Sequence, residues 1–157
     1  MRAGLLIAAL LTSICAFCQE SKPHPDLSGE WKIDLKYSDF GPFRPQATAS
    51  LKITQSGDKI QMDVNSGTAP KSLLSLTADG KQHPATVDAQ GVATYATTEW
   101  REGGLFVILE TLGRSYDSQM KSASIHYLSD DGTRLIIRRT VVTRHFKYDQ
   151  HLEYVRQ

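Results

Sequence analysis

The sequence predicts an all-β fold, an antiparallel up-and-down β-barrel of about eight to ten strands. Short segments in which apolar and polar residues alternate begin near residue 29 and continue to the end of the chain, as half-buried strands do. Turns that contain Gly or Asp separate these segments. Between residues 19 and 157 no segment has the period of an amphipathic helix. A β-sandwich is the alternative, but sequential hairpins favour a meander, and a barrel leaves no exposed edge strands.

The first strand is predicted around Trp31. Trp31, Ile33 and Leu35 occupy every second position with charged residues between them, which places the three apolar side chains on one face. Gly29 precedes the strand and suits a tight entry. Trp31 is the largest apolar side chain of the segment, so we expect it to be buried at one end of the core with its indole N–H hydrogen-bonded.

A loop is predicted from residue 38 to residue 46. Its two prolines and one glycine are incompatible with a helix or a central strand. Phe40 and Phe43 lie in this loop, and both aromatic rings need cover from water. We expect them to pack against the outside of the barrel, and the alternative is that the loop covers one barrel end.

The remaining strands follow at short intervals. The clearest hairpin joins residues 47–55 to residues 59–65 through the turn Ser56-Gly57-Asp58, because apolar residues alternate on both sides of it. The strands predicted after this hairpin span residues 71–77, 83–88, 92–101, 105–112, 116–128, 133–143 and 146–155.

Two parts of the sequence resemble a known family. Gly29-Glu30-Trp31 on a first strand is similar to the Gly-x-Trp opening of lipocalins. The longer runs 26–34 and 37–42, together with the late segment 128–135, are similar to small secreted bacterial proteins grouped as lipocalin-like. The resemblance implies a barrel of the calycin type in which the opening Trp closes one end. It implies little about function, because one fold supports many functions.

Two adjacent arginines, Arg138 and Arg139, lie in a late predicted strand. Neighbouring residues of a strand point to opposite faces, so one of the two points inward and needs a buried acceptor or a pocket. The resemblance to lipocalins implies that one of them packs on Trp31 as a cation–π contact. The alternative is a solvated basic face shared with Arg144.

The N-terminal residues differ from the rest of the chain. Arg2 and the apolar run that follows it predict a secretory signal peptide over residues 1–18, cleaved after Cys18. Residues 19–25 then form a polar leader that we expect to be disordered, and residues 26–157 form the barrel domain. The predicted location is secreted or periplasmic. The alternatives are an N-terminal anchor helix and a lipoprotein, although neither cysteine has a Leu three residues before it.

Composition narrows the classes of partner. Both cysteines, Cys15 and Cys18, lie in the predicted signal peptide, so the mature chain has no thiol for a disulfide, a nucleophile or a metal. Loss of Arg2 lowers the 18 Lys and Arg residues to 17, which equals the 17 Asp and Glu residues. A balanced charge argues against nucleic acid and gives no polybasic attachment to membranes. The mature chain also has no apolar segment long enough to span a bilayer.

No motif in the sequence points to catalysis, a metal or a cofactor. Ser124, His126 and Asp130 suggest a catalytic triad, but triads are defined by geometry rather than by closeness in sequence. We therefore expect the protein not to be an enzyme. The histidines lack the spacing of metal ligands, and we interpret them as surface or strand-end residues. These histidines are His24, His83, His126, His145 and His151.

The function that the sequence predicts is the binding of a small hydrophobic or amphipathic ligand inside the barrel. The alternative is a non-catalytic interaction or structural module of the cell envelope with a filled core, since a sequence shows inward faces but not voids. The oligomeric state is left open. The residues predicted to contact a ligand are Trp31, Tyr95, Phe106, Tyr127 and Arg139.

Overall fold

Ten antiparallel strands form a single sheet that curls into a nearly closed barrel in the computed structural model, which describes residues 24–67, 71–87, 92–101, 103–113 and 119–157. The predicted signal peptide, most of the leader and the predicted start of a strand at Tyr116 lie outside these residues. The strands are β1 (Gly29–Ile33), β2 (Ser50–Ser56), β3 (Lys59–Asn65), β4 (Ser72–Thr77), β5 (Gln82–Val87), β6 (Ala93–Arg101), β7 (Gly104–Leu112), β8 (Met120–Leu128), β9 (Arg134–Thr143) and β10 (Lys147–Arg156).

The strand order is that of an up-and-down barrel, as predicted. Each strand pairs with its neighbours in sequence, and β1 also pairs with β10, so that Trp31 lies opposite Arg156. The order around the sheet is β4-β3-β2-β1-β10-β9-β8-β7-β6-β5. β4 and β5 lie side by side at the remaining seam, where no strand ladder joins them in the described ranges. The described part of the chain contains no helix that is both long and apolar enough to cross a bilayer.

One end of the barrel is filled by apolar side chains. The odd-numbered strands of a meander run in the same direction, so their first residues lie at the same end. Leu27 before β1, Ile60 in β3, Leu105 in β7 and Leu135 in β9 are inaccessible to solvent at this end. Trp31 packs with them and is only 1% exposed, which confirms the predicted burial of this residue. We call this the closed end.

The segment between β1 and β2 crosses to the opposite end. Asp39 pairs with His151 of β10 through two backbone hydrogen bonds, which holds the segment along that strand. The chain then turns over the barrel rim, where Phe40 packs against the core and Phe43, which is 50% exposed, lines the mouth of the cavity. The expectation that these two rings pack on the outside is therefore wrong. Leu35 is also exposed rather than inward, because β1 ends at Ile33.

Candidate functional site

A cavity of about 590 Å³ lies inside the barrel, between the closed end and the segment that crosses the opposite rim. Its wall is mostly apolar, and the volume falls in the range of roughly 300–1,000 Å³ that is usual for small-molecule sites. Apolar side chains from both halves of the sheet line it, among them Leu51, Met62, Leu74, Leu109 and Leu152.

Three of the polar side chains in the cavity wall lie in a single row. Ser124 of β8 lies opposite Arg139 of β9, and Arg139 lies opposite Gln150 of β10, so the strand register places all three at one level of the barrel. Each of them lines the cavity. Their neighbours along each strand point outward, because side chains alternate across a sheet. We call these three residues the polar row.

Hydrogen bonds fix the polar row to the rim segment. Arg139 Nε donates to Gln150 Oε1 at 3.0 Å, and Arg139 Nη2 donates to the same oxygen. The Gln150 amide in turn donates from Nε2 to the backbone carbonyl of Phe40 at 2.9 Å. This second bond orients the amide so that its oxygen faces the guanidinium. The guanidinium is thus positioned by a neutral partner.

His126 lies next to the polar row, one inward position closer to the closed end. Its Nε2 is 3.0 Å from Ser124 Oγ, and its Nδ1 has no hydrogen-bond partner among the described residues. Burial, with a smaller contribution from the charge of Arg139, lowers the pKa of His126 to about 4. The ring is therefore neutral at physiological pH. The expectation that this histidine lies at the surface or a strand end is wrong.

Arg139 is the cationic member of the polar row, and Arg44 of the segment at the rim also lines the cavity. Burial raises the pKa of Tyr154 to about 12, against the opposing effect of Arg139, so its hydroxyl is protonated. Gln150 and Ser124 carry no charge. Within the described ranges no Asp or Glu side chain lines the cavity. The charge of Arg139 at this wall is therefore not balanced by a described carboxylate.

The structure separates the five residues predicted to contact a ligand. Arg139 lines the cavity, whereas Trp31 is buried at the closed end of the barrel and is not part of the cavity wall. Tyr95, Phe106 and Tyr127 alternate with the inward residues of β6, β7 and β8 and lie on the outer face, which corrects their predicted place in the lumen. Their parity along each strand explains this, since Ala96, Val107 and His126 hold the neighbouring buried positions.

Arginines cover two of these outward aromatic rings. The guanidinium carbon of Arg101 is 3.7 Å from the Phe106 ring centroid, and that of Arg138 is 5.7 Å from the Tyr127 centroid. Such contacts shield an aromatic face from water without burying it in the core. An aromatic residue in a strand is therefore not by itself a sign of an inward position.

Trp31 at the closed end has a different cationic partner from the one predicted. Its indole N–H donates to the Leu27 carbonyl at 3.0 Å, and the Arg156 guanidinium carbon lies 4.3 Å from the centroid of its ring. Arg156 also donates from Nη1 to the Ser28 carbonyl at 2.7 Å. The assignment of Arg138 or Arg139 to this contact is wrong, because β10 rather than β9 lies beside β1.

The three residues that suggest a triad in the sequence do not converge in the structure. Ser124 and His126 form a pair, but Asp130 is exposed in the turn after β8, and no described carboxylate bonds His126 Nδ1. The pair therefore lacks the carboxylate that orients and stabilises a catalytic imidazole. In the same parts of the chain, no group of three or more His, Cys, Asp or Glu side chains is placed to hold a metal ion.

Arg139 is the one predicted ligand contact in the described cavity wall, and the residues that the prediction left out include Phe40, Gln150 and Tyr154. The signal for two of them was present, since Tyr148, Gln150, Leu152 and Tyr154 share one parity of the last strand while Asp149, His151 and Glu153 hold the other. Comparison of the chain with protein-family models and with curated protein sequences finds no match.

Proposed function

We propose that this protein is a secreted or periplasmic, lipocalin-like barrel that binds a small hydrophobic or amphipathic molecule and does not catalyse a reaction. The observation that carries the proposal is the cavity of about 590 Å³ with its mostly apolar wall. Native cores are close-packed, so an apolar cavity of this volume inside the barrel is unusual in a domain that serves only as a scaffold. The alternative of a filled-core module of the cell envelope is disfavoured for the same reason.

The apolar wall is sufficient to hold an alkyl chain. Each methylene group that leaves water for an apolar environment contributes about 0.8 kcal/mol, so a chain of ten carbons gains roughly 8 kcal/mol before the costs of association. A gain of roughly 8 kcal/mol corresponds to a micromolar dissociation constant if polar contacts offset those costs. We therefore expect micromolar rather than nanomolar affinity for simple alkyl ligands.

Binding in the cavity is tested with the neutral fluorescent probe N-phenyl-1-naphthylamine. Leu109 lines the cavity, and Leu109→Trp places a larger ring in it, whereas Ile108→Trp adds the same ring on the outer side of the same strand. We expect saturable fluorescence enhancement with the wild type and with Ile108→Trp, and at least about tenfold weaker binding with Leu109→Trp. No enhancement with the wild type, or equal binding by both variants, would overturn the proposal.

Export is tested separately from binding. If residues 1–18 are a signal peptide, the protein recovered from the periplasm or the medium has lost them and begins at Gln19. Intact-mass spectrometry of protein expressed from the full-length gene measures this directly. A full-length mass in the cytoplasmic fraction alone would contradict the proposed location but not the proposed binding.

A further inference from the structure

Arg139 is a half-buried cation at the polar wall of the cavity, and its only described hydrogen-bond partner is a neutral side chain. Two of the five N–H donors of its guanidinium go to Gln150 Oε1. No other described residue accepts a hydrogen bond from the remaining donors. Charged groups that leave bulk water normally gain an opposite charge, so this arrangement is incomplete in the unliganded barrel.

The acidic residues nearest to Arg139 in the sheet face away from it. Asp149 and Glu153 have the outward parity of β10, and each is bonded on the outer side of the barrel. Asp149 accepts from Thr140 at 2.5 Å, and Glu153 accepts from Arg134 at 3.2 Å and lies 2.9 Å from His151. The sheet register therefore keeps the protein's own carboxylates of β10 away from the guanidinium.

Two neutral hydroxyl groups accompany the guanidinium. Ser124 is directly opposite Arg139 in the register, and its hydroxyl already contacts the Val107 carbonyl at 3.4 Å and His126 Nε2 at 3.0 Å. Tyr154 lines the same cavity, with no described hydrogen-bond partner for its hydroxyl. Hydroxyl groups can donate to an anion, and a guanidinium binds a carboxylate through two parallel hydrogen bonds. The cavity wall thus offers an anion the Arg139 guanidinium and the Tyr154 hydroxyl as donors.

The wall that faces Arg139 is mostly apolar. β4 lies five positions from β9 in the order of the strands, so it forms the opposite side of the ten-stranded barrel. Leu74 and Leu76 of β4 and Met62 of β3 line the cavity on that side. A molecule that spans the cavity therefore meets donors at one end and hydrocarbon at the other.

We propose that the ligand is an aliphatic carboxylate whose head group binds Arg139 and whose alkyl chain lies against the β3–β4 wall. This inference rests on the proposed function and adds the chemical class of the ligand to it. An uncharged amphiphile with the same chain fills the same space but leaves the guanidinium without an acceptor. The protein should therefore discriminate between the two.

The test is competition of decanoate and 1-decanol against N-phenyl-1-naphthylamine at neutral pH. We expect the wild type to bind decanoate at least about tenfold more tightly than 1-decanol, since charge-assisted hydrogen bonds are about twice as strong as neutral ones. Arg139→Met should weaken decanoate by about 10- to 100-fold and leave 1-decanol unchanged. Arg138→Met, which removes an outward arginine of the same strand, is the matched control and should change neither.

A second variant keeps the Arg139 guanidinium and neutralises its charge with a neighbouring carboxylate. Gln150→Glu places a carboxylate on the side chain that already bonds Arg139, so it should weaken decanoate to a similar extent and again spare 1-decanol. This variant carries the test if circular dichroism shows that Arg139→Met does not fold.

The outcomes separate the two proposals. Equal affinity of the wild type for decanoate and 1-decanol, or an unchanged preference for decanoate in a folded Arg139→Met or Gln150→Glu variant, would overturn the carboxylate site and leave the proposed function standing. Failure of the probe, decanoate and 1-decanol to bind the wild type would overturn both.

Discussion

Trp31 of the first strand packs against the last strand of the barrel. It is only 1% exposed, its indole N–H is bonded to the Leu27 carbonyl, and its ring lies against Arg156 of the last strand. Trp31→Ala leaves a large cavity at the closed end and should lower the free energy of unfolding by about 3–5 kcal/mol. A domain of this size has about 5–15 kcal/mol in total, so the loss is severe. Urea denaturation measures it.

Trp100 is the control for that substitution. Its ring is half-buried and stacks on His24, with 4.7 Å between the ring centroids, and its indole N–H has no described hydrogen-bond partner. Trp100→Ala should therefore destabilise the protein less than Trp31→Ala. Wild-type stability in Trp31→Ala, or the reverse order of the two variants, would contradict this account of the closed end.

His126 gives the barrel a pH-dependent stability. Burial and the charge of Arg139 lower its folded-state pKa from 6.5 to about 4, so between these values the unfolded chain binds a proton that the folded chain does not. The stability from this residue is present above pH 6.5 and is lost as the pH falls toward 4. The shift corresponds to roughly 3 kcal/mol.

Urea unfolding at pH 7 and pH 4.5 tests this dependence. The free energy of unfolding of the wild type should fall with pH over this range, and His126→Gln should remove most of the part due to this residue. His83→Gln, at a solvent-accessible position beside Asp79, should retain it. The same acid sensitivity in wild type and His126→Gln would mean that other groups cause it.

At the scale of residues, the hardest feature to predict was the face of the sheet to which a given side chain points. The alternation around Trp31 predicts its burial correctly, because the flanking residues are charged. In β6, β7 and β8 both parities hold apolar residues, which hid the difference between the inward Val107 and the outward Phe106. The charged residues of these strands all have the outward parity, a signal that the prediction overlooked; they are Glu99, Arg101, Glu110 and Lys121. For Arg138 and Arg139, the sequence predicted that one of the two points inward but not which one; the structure shows that it is Arg139.

At the scale of strands, the residues at which a strand begins and ends can be predicted where a turn residue such as Gly marks the boundary. β3 spans the predicted residues 59–65, because alternation and a Gly-containing turn agree there. The prediction that the aromatic rings of the segment between β1 and β2 pack on the outside of the barrel was wrong. The position of this segment depends on the pairing of Asp39 with His151, a contact between residues far apart in sequence that no local pattern encodes.

Gly104 permits the close approach of β7 to β8. A Cβ atom at this position would lie 2.3 Å from the backbone oxygen of His126 and 3.0 Å from the Tyr127 Cβ. Gly104→Ala should therefore displace the start of β7 and lower the free energy of unfolding by about 1–3 kcal/mol. Thermal denaturation followed by circular dichroism measures the change.

Gly57 is the matched position for this test. It has φ of +57° in the turn between β2 and β3, and a Cβ atom there would have no described heavy atom within 4 Å beyond its chain neighbours. Asn tolerates this backbone conformation, so Gly57→Asn should be nearly neutral. A Gly104→Ala variant as stable as Gly57→Asn would show that β7 and β8 separate without cost.

At the scale of the whole molecule, the barrel was predictable and its cavity was not. Sequential strands with short turns leave few topologies, and the meander is the simplest of them. A void depends on the summed volume of the inward side chains against the barrel radius, and neither quantity is visible in a pattern of alternation. The pairing of β1 with β10 joins the first strand to the last and places Arg156 against the Trp31 ring.

A ligand that binds the cavity should stabilise the folded barrel. Decanoate at about tenfold its dissociation constant adds roughly 1.4 kcal/mol, which for a domain of this size raises the melting temperature by about 5 °C. Leu109→Trp, which fills the cavity, should show a much smaller shift at the same concentration. An equal shift in both proteins would place the ligand outside the cavity.

The most direct measurement is a crystal structure of the protein with decanoate. We expect continuous density inside the barrel, with the carboxylate in hydrogen-bond contact with Arg139 and the alkyl chain beside Leu74 and Met62. Inward side chains that fill the cavity of about 590 Å³, or decanoate found only on the outer face of the barrel, would contradict this expectation.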